Sequence, residues 1–313
     1  MKTCILFPGQ GAQSIGMGKD LYDADADVRR LFEEASDAAK VNLVDLIFSG
    51  TEEELKQTRN AQLALALVDT AASAVLKKHG VSADGAAGFS LGEWAALHEA
   101  GVVPFALMIS LVAERGRLMD EAGQRSGGSS MSAVLGLDPA AIEAALKSAG
   151  IVDAWIANYN APGQSVLSGT VPGLAAAEEA VKSAGAKRAV RLKVSGAFHS
   201  PIMRYAYDGF RELLTDVQFK DPAIAFYSNV TGGRVSSGAE LKKLAAEQII
   251  SPVRWIDEEK SIIADGYGRV VEAGPGTVLA GLWKSAESDI VVAPAGTVPQ
   301  IQAVAGTVPR SES

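Results

Sequence analysis

Between residues 127 and 194 the chain runs strand, helix, strand, strand, helix, strand, and no other stretch restricts its folding so tightly. Residues 131–136 form a short apolar run. Asp138-Pro139 opens a helix to about residue 148, with Asp as N-cap and Pro at the first helical position. Residues 155–160 and 164–168 read as strands joined by the turn Ala161-Pro162-Gly163. Val171-Pro172 begins a second helix ending at Gly185, and 187–194 is the last strand. The order β-α-β-β-α-β is the ferredoxin-like pattern, which forms a small unit with its own core.

On either side the pattern changes. Residues 2–9 read as a buried strand ended by Pro8-Gly9, and helical periodicity covers 18–39. Thr51 and Glu54 match a capping box, and an amphipathic helix spans 60–78, closing on Lys77-Lys78-His79-Gly80. A strand at 86–89 turns at Ser90 into a helix reaching about residue 100, and Pro104 opens another to about 122. Beyond the insertion come a strand at 224–227, helices at 238–250 and 256–264, and a strand at 269–272 turning at Gly274-Pro275-Gly276. A helix to about 284 and a strand near 290–292 follow. Alternating strands and helices imply a mainly parallel sheet covered on both faces. The expected fold class is therefore α/β, with a large domain made of 1–126 and 195–313 and a small inserted one at 127–194. The repeat Ala-Gly-Thr-Val-Pro at 295–299 and 305–309 has too few copies for a repeat architecture and reads as a flexible end.

Composition narrows the partners. A formal charge of −8 gives no general attraction to nucleic acid or an anionic membrane, so a phosphate-bearing partner needs a local basic patch. Lys187, Arg191 and Lys193 share one face of the last inserted strand and offer such a patch, unless that face is merely solvated. The single cysteine, Cys4, excludes an internal disulfide framework and suits a reducing cytoplasm. Residues 1–9 are too short for a signal sequence, and the apolar stretch 61–76 is interrupted by Asp69 and Thr70. A cytoplasmic protein off the membrane is expected, with no metal and nothing calling for more than a monomer.

Gly88-Phe89-Ser90-Leu91-Gly92 is a G-x-S-x-G sequence between a strand and a helix. Glycines relieve crowding in such a turn and lift the serine hydroxyl into the open, while the following helix start supplies free N–H groups where negative charge would develop. The plainer reading is a strand–helix turn and nothing more. A nucleophilic serine needs a base, and the sequence offers three histidines. His79 lies in a helix-terminal turn. His98 stands eight residues beyond Ser90 on the same helix, about 12 Å along its axis. His199, in a loop returning from the insertion, is left as the base. The acids between Ser90 and His199, Glu93 among them, fall mostly on exposed helix faces or in the insertion, so a dyad with a backbone carbonyl orienting the imidazole is expected. Arg115 occupies a core-facing slot in the stripe Met108, Leu111/Val112, Met119, whereas Arg117 lies with Glu114 and Glu121 on the polar side. A buried guanidinium needs a partner, either an internal carboxylate or that of a substrate. The glycine-rich loop at Gln10 follows a strand but places Ser14 where a dinucleotide fingerprint needs glycine; it can instead offer contacts to an oxyanion.

Six segments, FPGQGAQ at 7–13, GFSLGEW at 88–94, Arg115-Gly116, SGAFHS at 195–200, QIISPVRW at 248–255 and EAGPG at 272–276, resemble the landmarks of the malonyl-CoA:acyl-carrier-protein transacylase family, in its order. The resemblance spans nearly the whole chain. It implies an α/β-hydrolase-like domain with an inserted ferredoxin-like domain, and transfer of malonyl from coenzyme A to the phosphopantetheine thiol of an acyl carrier protein, for fatty acid or polyketide synthesis. Ser90 would be the nucleophile, His199 its base, and Gln248 the residue orienting His199 through its carbonyl. Gln10 and Leu91 would form the oxyanion hole, and Arg115 would hold the malonyl carboxylate. No bound cofactor is implied; malonyl-CoA is the substrate. Phe198 resembles the malonyl-preferring pattern. The family usually has His before the nucleophile and Tyr after the glutamate, where this chain has Phe89 and Trp94. A serine hydrolase or thioesterase, a methylmalonyl or other acyl specificity, and a non-catalytic carrier-docking protein are the competing readings.

Overall fold

The computed structural model describes residues 1–306. In chain order the first part supplies β1 (Thr3–Phe7), α1 (Lys19–Ala24), α2 (Ala26–Ala39), α3 (Leu43–Phe48), α4 (Glu52–Lys56), α5 (Thr58–Lys78), β2 (Gly85–Gly88), α6 (Gly92–Glu99) and α7 (Phe105–Arg125). Then come β3 (Ser129–Leu135), α8 (Pro139–Ser148), β4 (Ala154–Ala161), β5 (Gln164–Thr170), α9 (Val171–Ser183) and β6 (Arg188–Arg191). A 3-10 turn (Pro201–Met203), α10 (Arg204–Leu213), β7 (Ala225–Ser228), β8 (Gly233–Val235), α11 (Gly238–Glu247), α12 (Trp255–Ala264), β9 (Arg269–Glu272), α13 (Val278–Trp283), β10 (Ala293–Pro294) and α14 (Val298–Ala305) complete it.

One sheet has the order β10-β9-β1-β2-β7-β8, parallel throughout except for the β7–β8 hairpin. Its central strand β1 reads Thr-Cys-Ile-Leu-Phe and is buried along its whole length, as a strand covered on both faces must be. The adjacent β2 is Gly-Ala-Ala-Gly because α6 lies directly over it. A Cβ on Gly88 would overlap the backbone of Gly92, and one on Gly92 would overlap the carbonyl of Phe7. The second sheet, β4-β5-β3-β6, is wholly antiparallel and carries α8 and α9 over a separate core that includes Val134, Ile142, Ile156, Leu167, Leu174 and Val181. β4 of this sheet is tied to the segment leading into α12: the Tyr159 N–H donates to the Val253 carbonyl at 2.9 Å and the Val253 N–H to the Ala157 carbonyl at 2.8 Å. Fold class is α/β, with a mainly parallel sheet and a small ferredoxin-like one.

Several elements depart from expectation for identifiable reasons. The helix anticipated over 18–39 breaks at Asp25, whose extended backbone lets its carboxylate cap α2 by accepting the Asp27 N–H. The helix read as amphipathic is α5, buried on every face from Ala61 to Ser73 because it packs between layers; Asp69 within it has no exposed surface. The last inserted strand is four residues, not eight. The strand placed near 290–292 is the two-residue β10. The first copy of the terminal repeat is no flexible end: Thr297 caps α14, which buries Ile301 and Val304. Residues 307–309 of the second copy lie outside the described residues. Periodicity did not single out α3, α10 or the β7–β8 hairpin. Among the described residues no helix is long and apolar enough to cross a membrane.

Candidate active site

β1, β2 and β7 are adjacent and parallel, so their carboxyl ends open on one edge of the sheet, the usual place for ligands in such folds. Each delivers a polar group there: Gln10 beyond β1, Ser90 beyond β2 and Asn229 beyond β7. Ser90 is held at φ 52°, a left-handed conformation that costs about 1–3 kcal/mol for a residue with a side chain.

The structure brings Ser90 and His199 together across 109 positions of sequence, with Oγ 2.8 Å from Nε2. The other ring nitrogen, Nδ1, lies 2.8 Å from the Gln248 carbonyl and 3.2 Å from the Ser251 carbonyl. Carbonyls only accept, so Nδ1 carries the proton and Nε2 turns its lone pair toward the serine hydroxyl. Burial, and then the Arg115 cation, push the His199 imidazole down from its ordinary value to about 4.

Arg115 has no exposed surface. Its Nη1 donates to Gln62 Oε1 at 2.7 Å and its Nη2 to Gln248 Oε1 at 2.9 Å, with Ser90 Oγ 3.5 Å from Nη2. Its anchors are neutral amides, and no carboxylate among the described residues forms an ion pair with it; Nε is buried with no partner. Burial lowers its proton affinity to about 10. Arg117 instead pairs on the surface with Glu114 and Glu121.

Gln248 contributes its side chain as well as its carbonyl, donating from Nε2 to the Ser90 carbonyl at 2.9 Å while accepting from Arg115. Leu91 and Gln10 line the same cavity of about 410 Å³ as Ser90, Arg115, Phe198 and His199. Leu91 is the N-cap residue of α6, at the positive end of that helix. Phe89 also lines this cavity, its ring edge-on to Trp255 at 5.5 Å. A larger cavity, about 720 Å³, lies between α8 and α12 around Tyr159 and Arg254, away from the Ser90–His199 pair.

The other histidines stay outside the site: His98 Nδ1 lies 3.1 Å from the Val103 carbonyl, and His79 ends α5. Of the three basic residues expected on one face, Arg191 is paired with Glu178 and only Lys193 lines the cavity, because β6 ends before it. Glu93 is not on an exposed face: it is 2% exposed, accepts the Asn229 N–H at 2.7 Å, and is pushed by burial to about 7. Sequence reasoning missed Gln62 and Asn229. A lone amide inside the apolar run of α5 was a signal for the first, and a polar residue just past a buried strand for the second.

An acyl transferase domain model matches residues 4–307. The malonyl CoA-acyl carrier protein transacylase of Bacillus subtilis (strain 168) is 41% identical over 287 residues, 90% of each chain, and that of Staphylococcus aureus (strain MRSA252) is 35% identical over 303 residues, 96% of this chain and 97% of the relative. The acyl-carrier-protein S-malonyltransferase of Burkholderia pseudomallei 1710b superimposes with a TM-score of 0.93 at 36% identity, covering 98% of this chain and all of the other. A malonyl-transacylase solved in complex with its type II PKS acyl-carrier protein superimposes with a TM-score of 0.94 at 35% identity, over 98% and 100% of the two chains. With a domain matching residues 4–307 and relatives of this identity over 90% or more of their length, the chain belongs to the acyl transferase family and, within it, to the malonyl-CoA:acyl carrier protein transacylases.

Proposed function

We propose that the protein moves malonyl groups from coenzyme A to the phosphopantetheine thiol of an acyl carrier protein through an ester on Ser90. The observation that carries the reading is Arg115, a fully buried cation bonded to the side-chain amides of Gln62 and Gln248 and, at 3.5 Å, to Ser90 Oγ, with no carboxylate in ion-pair contact among the described residues. Such a charge is costly unless an anion arrives to pair with it, and the malonyl carboxylate is one.

His199 Nε2 takes the Ser90 proton as Oγ attacks the thioester carbonyl. The oxyanion meets the Leu91 N–H and the Gln10 loop, beside the positive end of α6. Collapse expels the coenzyme A thiolate, which takes the proton from His199. The carrier's thiol then gives its proton to His199 and attacks the ester, the intermediate collapses, and Ser90 recovers its proton. Gln248 holds the imidazole by its carbonyl and the Arg115 fork by its side chain, so base and carboxylate site share one support. Nothing in this sequence requires a metal or a resident cofactor. We assign residues 127–194 as a subdomain inserted into a large domain of 1–126 and 195–313, since β3 to β6 all fall within it. We place the protein in the cytoplasm as a monomer, supplying extender units for fatty acid or polyketide synthesis.

Malonyl and acetyl transfer by wild type and Arg115→Ala test the reading. Malonyl transfer should fall about 10²-fold or more while acetyl transfer holds or rises, because only malonyl loses a charged partner. Equal losses for both acyl groups, or unchanged malonyl transfer, would sink it.

A further inference from the structure

The Ser90 turn must hold a left-handed serine against the pull of ordinary backbone preference, and one side chain grips it from both sides. Asn229 Oδ1 accepts the Ser90 backbone N–H at 2.7 Å, and Asn229 Nδ2 donates to the Gly88 carbonyl at 2.7 Å. These are the peptide groups flanking the turn. The same amide reaches two further elements: Nδ2 donates to Glu258 Oε1 on α12 at 2.7 Å, and Oδ1 accepts from Gln248 Nε2 at 3.2 Å. Its own backbone N–H is held by Glu93 of α6. Asn229 is wholly buried, so each of these bonds is made without competition from water.

We infer that Asn229 is a positioning residue for the nucleophile: its primary amide clamps the Gly88 carbonyl and the Ser90 N–H, fixing the turn that presents Oγ to His199 and tying it to Gln248. The inference rests on Ser90 being the nucleophile. Only a carboxamide serves, because one end of the clamp must donate and the other accept. A carboxylate keeps the acceptor but sets an oxygen against the Gly88 carbonyl and against Glu258. An alcohol or an alkyl group loses one end or both.

The roles of clamp and support can be separated by exchanging two groups. Asn229→Asp alone faces Glu258 with a like group. Asn229→Asp combined with Glu258→Gln restores a donor–acceptor pair between these two positions, now reversed, while the Gly88 carbonyl still meets an oxygen. The exchange should therefore return the thermal midpoint toward wild type without returning the chemistry. The readouts are malonyl transfer, with kcat and KM separated, and the rate at which a fluorophosphonate probe labels Ser90. In both variants kcat and the labelling rate should fall about 10²-fold, with KM for malonyl-CoA within threefold of wild type. Asn229→Asp within threefold of wild type in kcat, or an exchange that restores kcat together with the midpoint, overturns the clamp. A wild type labelled at Ser90 by the probe yet unable to transfer malonyl overturns the proposed function instead, and the labelling rates still decide the clamp.

Discussion

His199 has a basic lone pair at neutral pH because the protein keeps it dry and sets a cation beside it. Both effects disfavour the imidazolium, burial more than Arg115, and bring its proton affinity down to about 4. In the proposed mechanism only the neutral form accepts the Ser90 proton, so the acid limb of kcat/KM for malonyl-CoA should lie near pH 4 rather than near 6.5. Glu93, pushed by burial to about 7, also titrates in this range, so the test is made in Glu93→Gln: its profile should run flat from pH 8 down to about 5, and a limb at 6 or above there would show the ring to be wetter than its packing implies. The same shift bears on stability. The unfolded chain binds a proton on this residue below about pH 6.5, and the native state does not until about pH 4. This contribution is complete above 6.5 and is lost as pH falls toward 4.

Among the elements, α4 shows how a short helix stays formed at the surface. Thr51 Oγ1 accepts the Glu54 N–H at 3.1 Å, and Glu54 Oε2 accepts the Thr51 N–H at 2.9 Å, so two of the N–H groups that a helix start leaves unpaired are satisfied reciprocally. Thr51→Ala should lower unfolding free energy by about 1 kcal/mol, read as a shift of the urea midpoint at constant slope, with malonyl transfer within twofold of wild type. A loss of transfer larger than that would mean α4 supports the cavity mouth, which Lys56 lines. Elements of the site are built differently. β2 and α6 are pressed together at Gly88 and Gly92, where neither position has room for a methyl group.

Across the whole molecule, the site depends on how closely α7 approaches the segment that carries His199. At Gly123 a Cβ would overlap the Ser195 carbonyl, and the Ser195 hydroxyl is fixed to Thr58 at 2.9 Å and to Asp120 at 3.4 Å. Helices α5 and α7 thus hold the return from the second sheet, four residues before His199. Gly123→Ala should push this segment off α7 and separate Ser90 from His199, lowering kcat about tenfold or more while the far-UV spectrum stays native. A kcat within twofold of wild type would show that His199 takes its position from Gln248 and Ser251 alone.

What the sequence determined by itself is the part that local chemistry governs: the alternation of strands and helices, the ferredoxin-like order between 127 and 194, the Thr51, Asp138 and Pro139 helix starts, and the strand–turn–helix around Ser90. Elimination among three histidines also singled out His199, the one whose ring lies 2.8 Å from Ser90 Oγ, and the core-facing slot of Arg115 was legible from helical spacing. The tertiary structure alone decided what meets at a distance. It set Arg115 against amides with no carboxylate in ion-pair contact, buried Glu93, and brought Gln62 to Arg115 and Asn229 to Ser90. It also decided that α5 is enclosed on all sides and that α14 docks, where the residues read as an amphipathic helix and a loose end. Periodicity reports which face of an element is apolar, but a buried polar group is explained only by its partner. Here those partners lie as far as 158 positions away, joined where the carboxyl ends of β1, β2 and β7 converge.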